Sequence, residues 1–255
     1  MKLTVLGCSG GIGSGRHTTC FKVDDDVLID AGSGITTLDF EAMEKINHIF
    51  LTHAHLDHVL GVPLLLDSVC DTRTEPVTVH ALPEVLDVLA KHLFNWNLWP
   101  DFREIPNAEA PWLRFAPLAL GEAFTLDGRS FIPLPANHVV PACGLQVASA
   151  AGSLVFSGDT MHSEAFIHAL NAIPELRHLI IETSFENSLV EIARASKHHW
   201  PDSLAIELRG LTARPHVWIT HLKPGNEAAI MNELRAAAPE WGVEALVQGQ
   251  VIDLD

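Results

Sequence analysis

The chain has 255 residues and a formal net charge of −16, with 32 Asp and Glu against 16 Lys and Arg. Hydrophobic residues make up 47% of it, which allows a large core and excludes a disordered or fibrous chain. So acidic a surface repels a phosphate backbone, and long nucleic acid is not an expected partner.

In chain order, short apolar runs alternate with helical patterns. Strands are expected at 3–6, 20–23, 27–29, 49–52, 77–80, 144–148, 154–157, 179–182, 217–220 and 245–251, with Asp24-Asp25-Asp26 as a hairpin turn. Helices are expected at 82–93, 163–170, 189–198, 203–211 and 227–237, the last with Asn226 as its N-cap. The mixture indicates sheets flanked by helices, an α/β or α+β architecture. No linker-like composition shift divides the chain, so one domain over 1–255 is expected.

Two segments are decoys. The glycine-rich run from Gly7 to Gly15 invites a nucleotide-binding reading. Arg16 stands where Gly-x-Gly-x-x-Gly needs its third glycine, and Arg16-His17 stands where a P-loop needs Lys-Ser/Thr. The run is read as a loop near the site, with Arg16 or His17 as a weak candidate for a phosphate contact. The segment holding Phe94, Trp96, Trp99 and Phe102 is read as packing, the alternative being a cap over the site.

No apolar run approaches the ~20 residues of a membrane span, and the apolar start is too short for a secretory signal. A cytoplasmic protein with no membrane partner is expected. Cys8, Cys20, Cys70 and Cys143 form no Cys-x-x-Cys pair, which argues against a thiolate metal site and for reduced, packed thiols.

The chemistry concentrates in Leu51-Thr-His-Ala-His-Leu-Asp-His58, directly after a buried strand. Imidazoles clustered with a carboxylate suit a borderline divalent metal. One short run leaves a metal site incomplete, and three downstream residues are candidates. His138 follows an apolar, proline-rich segment; Asp159 follows Val155-Phe-Ser-Gly158; His221 ends the strand at 217–220. Each alone is either a ligand or a structural residue. Phe50-Leu-Thr-His53 and Trp218-Ile-Thr-His221 are alike, suggesting that two halves present histidines at equivalent strand ends.

The run His53-x-His55-x-Asp57-His58 resembles the signature of the metallo-β-lactamase superfamily. The resemblance implies an αββα sandwich of two similar halves with the metals at one edge. It implies two divalent ions, zinc by default with manganese or iron able to fill the same set. His53, His55 and His138 would hold one, and Asp57, His58 and His221 the other, with Asp159 and a water or hydroxide as bridges. Asp30, in Leu28-Ile-Asp-Ala-Gly32, would support the site by hydrogen bonding a ligand loop.

Within the superfamily, His138 lies in His-x-x-Pro-x-x-Gly rather than the His-Thr/Ser-x-Gly-His of lactamases and thioesterases. The chain has no tyrosine and no basic, glycine-rich arm, unlike the tRNA 3′-processing endonucleases. Ile181-Glu-Thr-Ser-Phe185, Ser196-Lys-His-His-Trp-Pro201 and Thr220-His-Leu-Lys-Pro224 resemble the class II cyclic-nucleotide phosphodiesterases. Pro63 and Asp67-Ser-Val69 depart from the fungal members. This resemblance implies hydrolysis of a 3′,5′-cyclic nucleotide, cyclic AMP or cyclic GMP, by attack of the bridging hydroxide oriented by Asp57. His198 would stabilise phosphate charge or protonate the leaving oxygen, with His199 as its alternate and Glu182 as a supporting carboxylate. A homodimer is a further family implication. The competing readings are hydrolysis of another phosphodiester, such as an RNA 3′ end, and a non-enzymatic metal or ligand sensor.

Overall fold

In the computed structural model, which describes residues 1–254, two seven-stranded sheets face each other. Lys2–Gly7 (β1), Cys20–Val23 (β2), Val27–Ile29 (β3), His48–Phe50 (β4), Val77–Ala81 (β5), Leu113–Pro117 (β6) and Val251–Asp253 (β14) form the first, in the order β14-β1-β2-β3-β4-β5-β6. Phe124–Leu126 (β7), Arg129–Pro135 (β8), Cys143–Ser149 (β9), Gly152–Phe156 (β10), Leu176–Glu182 (β11), His216–Thr220 (β12) and Glu244–Ala245 (β13) form the second, in the order β13-β12-β11-β10-β9-β8-β7. Phe40–Glu44 (α1), Leu56–Val59 (α2), Gly61–Val69 (α3) and Pro83–His92 (α4) belong to the first half. Glu164–Asn171 (α5), Val190–Ser196 (α6), Pro201–Arg209 (α7) and Glu227–Ala237 (α8) belong to the second. Among the described residues, no helix is long and apolar enough to cross a membrane.

Side chains alternate across each strand, and here both faces are covered. Val27 and Ile29 point between the sheets with Phe21, Phe50, Phe131 and Phe156, where Phe50 stacks on Phe131 at 4.2 Å and Phe21 meets Phe156 edge-on at 5.0 Å. Leu28 between them points outward, to Leu65 of α3 and Val85 and Leu89 of α4. Val155, Leu179 and Ile181 do the same on the other side, against Phe166, Leu204, Ile230 and Leu234 of α5, α7 and α8. The layers are therefore helix, sheet, sheet, helix, the expected αββα sandwich.

The halves share one plan. Three antiparallel pairings lead from β14 to β3, and three more from β7 to β10; parallel pairings then continue to β6 and to β13. This corrects the expected equivalence of His53 and His221. β4, which precedes His53, is fifth in its sheet and matches β11, whereas β12, which precedes His221, is sixth and matches β5. The matched ends are those of β3, followed by Asp30, and of β10, followed by Ser157-Gly158-Asp159.

Several element bounds differ from expectation. The run 245–251 is no single strand. β13 ends at Ala245, a turn with Gly249 at φ +84° intervenes, and β14 joins the other sheet. The helix expected to 198 ends at Ser196 because Lys197 turns left-handed, at φ 54° and ψ 52°. The helix expected at 203–211 runs from Pro201, at its first turn, to Arg209. Asn226 sits at the N-cap of α8, but its side chain accepts no capping bond. The segments β6, β7, β8, α1, α2 and α3 were not expected at all; Pro133 and Pro135 mask β8, and α1 and α2 are five and four residues long.

The aromatic segment packs. Phe94, Phe102 and Trp99 join the core beneath α4, while Trp96 is exposed and donates from Nε1 to Glu104. Cys20 and Cys143 are buried, and burial pushes the Cys143 thiol up to about 12.

Candidate metal centre

The C-terminal ends of β3, β4, β10, β11 and β12 meet at one edge of the sandwich, and the loop after β8 reaches over them. His53 and His55 come from the loop after β4. Asp57 and His58 lie in α2, and His58 N–H donates to His55 O at 2.9 Å, closing that turn. Asp159 follows Gly158, whose φ of +61° a larger residue adopts only with strain. His221 itself sits at φ +61°, as does Asp30 at +54°, so backbone strain is stored at the site. His138 stands in the loop after β8.

The sequence candidates form two groups, and a third, of Asp159, His198 and His221, overlaps both. In one, His55 Nδ1 lies 3.1 Å from His53 Nε2 and 3.2 Å from His138 Nε2, with Asp159 alongside. In the other, Asp57 Oδ2 lies 3.3 Å from His221 Nε2 and 3.9 Å from His58 Nε2. Asp159 Oδ2 stands between the groups, 3.4 Å from His58 and His221 and 3.6 Å from His53. Two donors held tetrahedrally at about 2.05 Å from one ion lie ~3.3 Å apart, so these spacings fit shared cations.

The outer nitrogens explain why the inner ones are free. Asp30 is buried; its Oδ1 accepts from Thr52 N at 2.8 Å, and its Oδ2 accepts from Thr52 Oγ1 at 2.8 Å and from His58 Nδ1 at 2.7 Å. Having donated to Asp30, Thr52 Oγ1 accepts from His53 Nδ1 at 3.0 Å. Across the site, Ser184 Oγ donates to Glu182 Oε2 at 3.1 Å and accepts from His221 Nδ1 at 2.8 Å. The two halves thus use the same device, a carboxylate taking a hydroxyl that takes an imidazole. His138 Nδ1 donates to Lys197 O at 3.3 Å. In each ring so tied, Nε2 faces the cluster, where its lone pair would serve a cation; at His58 burial lowers the pKa, but the Asp159 and Asp30 carboxylates prevail and raise it well above the ordinary imidazole value. His58 Nε2 and Asp159 Oδ1 are buried without a hydrogen-bond partner, which a bound cation would resolve. The donor set therefore fits a metal.

Burial drives His53 far down, helped by the His58 charge, and drives His138 down to about 4 against the pull of Asp159. For Asp57, burial favours the neutral acid, but the His221 hydrogen bond and the His58 and His221 charges outweigh it and hold the carboxylate ionised.

His198 and His199 part company. His198 is held by Glu182, whose Oε1 accepts from Nδ1 at 2.7 Å and from Thr160 N at 3.1 Å. Its ring stacks over His221 at 5.2 Å and meets His138 edge-on at 5.1 Å. Burial lowers its pKa, yet the Glu182 charge and hydrogen bond prevail and raise it. His199 turns away, as a residue adjacent to an inward-facing one must; its Nδ1 meets Ser203 Oγ at 2.9 Å, and burial pushes it down to about 3. His199 supports the site through its backbone, where its carbonyl accepts from Ser184 N at 3.0 Å.

The glycine loop flanks this edge. His221 N donates to Cys8 O at 2.8 Å and Gly10 N to Leu222 O at 3.0 Å. Arg16 is engaged by Glu227 at 2.5 Å, and His17 Nδ1 lies 3.2 Å from Ser33 O. Among the histidines outside the cluster, His48 meets His80 at 2.9 Å, His162 meets Glu207 at 2.5 Å and His216 meets Glu244 at 2.9 Å. Sequence reasoning missed Thr52, Ser184 and Lys197. Thr52 stood visible beside His53, but a hydroxyl relay becomes apparent only once its carboxylate is in place.

A family model described as "Beta-lactamase superfamily domain" matches residues 26–237. The chain is 28% identical over 130 residues to a Yersinia pestis protein named "Probable 3′,5′-cyclic-nucleotide phosphodiesterase", covering 40% of this chain and 36% of that protein. It is 32% identical over 144 residues to "Ribonuclease Z" of Bradyrhizobium diazoefficiens, covering 53% of this chain and 46% of that protein. It thus spans less than half the length of these curated relatives. The crystal structure of unliganded yeast PDE1 superposes with a TM-score of 0.82 at 19% identity, covering 98% of each chain.

Proposed function

The chain belongs to the beta-lactamase superfamily, and from that premise we propose that it is a metal-dependent phosphodiesterase that hydrolyses 3′,5′-cyclic nucleotides, cyclic AMP or cyclic GMP, to 5′-monophosphates. The observation that carries this reading is His198, paired with Glu182 and stacked over His221 at the edge of the donor cluster. An acid so placed serves a reaction with a leaving oxygen to protonate. Relatives named cyclic-nucleotide phosphodiesterase support the substrate class.

In this reading His53, His55 and His138 hold one divalent ion, Asp57, His58 and His221 a second, and Asp159 lies between them. Zinc suits the N/O donor set, with manganese or iron as substitutes. Such ions, when bound, supply positive charge to the phosphate oxygens and lower the pKa of water. The chain's own residues do the rest. Asp57, ionised and facing the cluster, orients the attacking water. His198, whose protonated form Glu182 favours, donates a proton to the departing 3′ oxygen. Asp30 and Ser184 fix the rings so that little reorganises during reaction.

A second reading, hydrolysis of an RNA 3′ end, is favoured by the relatives named ribonuclease Z. The charge of −16 and the absence of tyrosine weigh against it. A metal or ligand sensor has no need of an acid such as His198. The test is product analysis of cyclic AMP, cyclic GMP and an RNA 3′-extended substrate with metal-replete protein beside Asp57→Ala. We expect 5′-monophosphate from the cyclic nucleotides, lost in the variant. RNA cleavage without cyclic-nucleotide turnover would replace the first reading by the second.

A further inference from the structure

Where the start of α4 meets the loops that carry His55 and His138, a cavity of about 170 Å³ opens beside the cluster. Val85 and Val88 of α4 and Val140 and Pro141 wall it, and His55 lies on its cluster side. His55 thus belongs to both spaces, with Nδ1 among the cluster donors and its ring bordering the cavity. The exposed Leu56, at the start of α2, and Val139 adjoin His55 and His138 in sequence.

Size and charge decide what fits. A pocket for a whole drug-sized ligand runs to ~300–1,000 Å³, so this one takes a single ring system, not a nucleotide. Although Glu84 borders the cavity, its exposed lining is almost wholly apolar, which leaves a phosphate without partners there. Such a wall rewards burial of a flat, uncharged group by dispersion and lost hydration.

We propose that this cavity seats the heterocyclic base of the substrate while its phosphate lies at the cluster. The proposal rests on the cyclic-nucleotide reading and names the part of the site that reads the substrate's identity.

The test fills the cavity with Val88→Trp, compared with Asp87→Trp on the same helix. The ratio of kcat/KM for cyclic AMP to that for methyl p-nitrophenyl phosphate, which has no base, is measured for each. We expect Val88→Trp to lower the ratio on the order of tenfold or more and Asp87→Trp to leave it unaltered. Cyclic AMP turnover with an unaltered ratio in Val88→Trp would overturn the proposal and spare the reaction. If the parent protein turns over only the base-free ester, the cyclic-nucleotide reading fails, and calorimetric titration with adenosine then judges the cavity. Adenosine binding that Val88→Trp weakens supports it, and equal binding or none overturns it.

Discussion

At the residue scale, the two adjacent histidines separate chemistry from packing. His198 faces the cluster with Nδ1 anchored on Glu182, whereas His199 is buried against Ser203. His198→Gln should lower kcat by about 10²–10⁴, the range of a lost general acid, with bound metal and folding stability little changed. His199→Gln should cost on the order of 1–3 kcal/mol of stability, as a buried bond to Ser203 is lost, with a far smaller effect on kcat. Turnover, metal analysis and urea unfolding on both variants check this pair; equal kcat losses would remove the assignment of His198. The donor types were legible in the sequence because His-x-His-x-Asp-His is dense and follows a buried strand. Which of two neighbouring histidines turns inward came from the family resemblance, which named His198, and not from the residues themselves, because it depends on Lys197 ending α6 in a left-handed turn.

At the element scale, the glycine loop after β1 acts as a backstop for His221. A Cβ built on Gly10 would lie 2.3 Å from His221 O and 2.9 Å from its Nδ1, closer than any real contact. Gly10→Ala must therefore push the His221 turn away, and that turn already sits at a strained φ of +61°. Metal analysis should show about one ion per chain lost and one retained, because His53, His55 and His138 come from loops that Gly10 does not touch. Full occupancy in Gly10→Ala would show that the loop yields instead. Elements buried on both faces, such as β3 and the ends of β10 and β11 at 154–156 and 179–181, were legible as continuous apolar runs, and α4, α5 and α8 by their helical period. The run 245–251 failed because Gln248-Gly249-Gln250 interrupts its apolar residues with a turn, and nothing local reveals that the chain crosses there from one sheet to the other.

At the scale of the whole molecule, the two sheets are held by the aromatic core between them and clasped at one corner by Arg129. Its guanidinium donates to both Asp26 oxygens at 2.7 Å and to Asp24 at 3.2 Å, tying the β7–β8 hairpin of one sheet to the β2–β3 turn of the other. The Asp24-Asp25-Asp26 turn was legible in the sequence; its cation, 103 residues away, was not. The Arg129 hydrogen bond holds Asp26 below the usual carboxylate range. A carboxylate depressed in the folded state stabilises the fold above its unfolded pKa of ~4, and that stability is lost as pH falls through the lower folded value. Arg129→Met should therefore destabilise by about 1 kcal/mol at neutral pH, toward the low end for a charged hydrogen bond because solvent screens the partly exposed Asp26. The gap between parent and variant should hold from about pH 7 to about pH 5 and close below ~4, as Asp26 takes up its proton in both. Urea unfolding across that range measures it. A gap that stays constant into acid would mean that Arg129 acts through the packing of its aliphatic stem, and that the halves are joined by the core between the sheets alone.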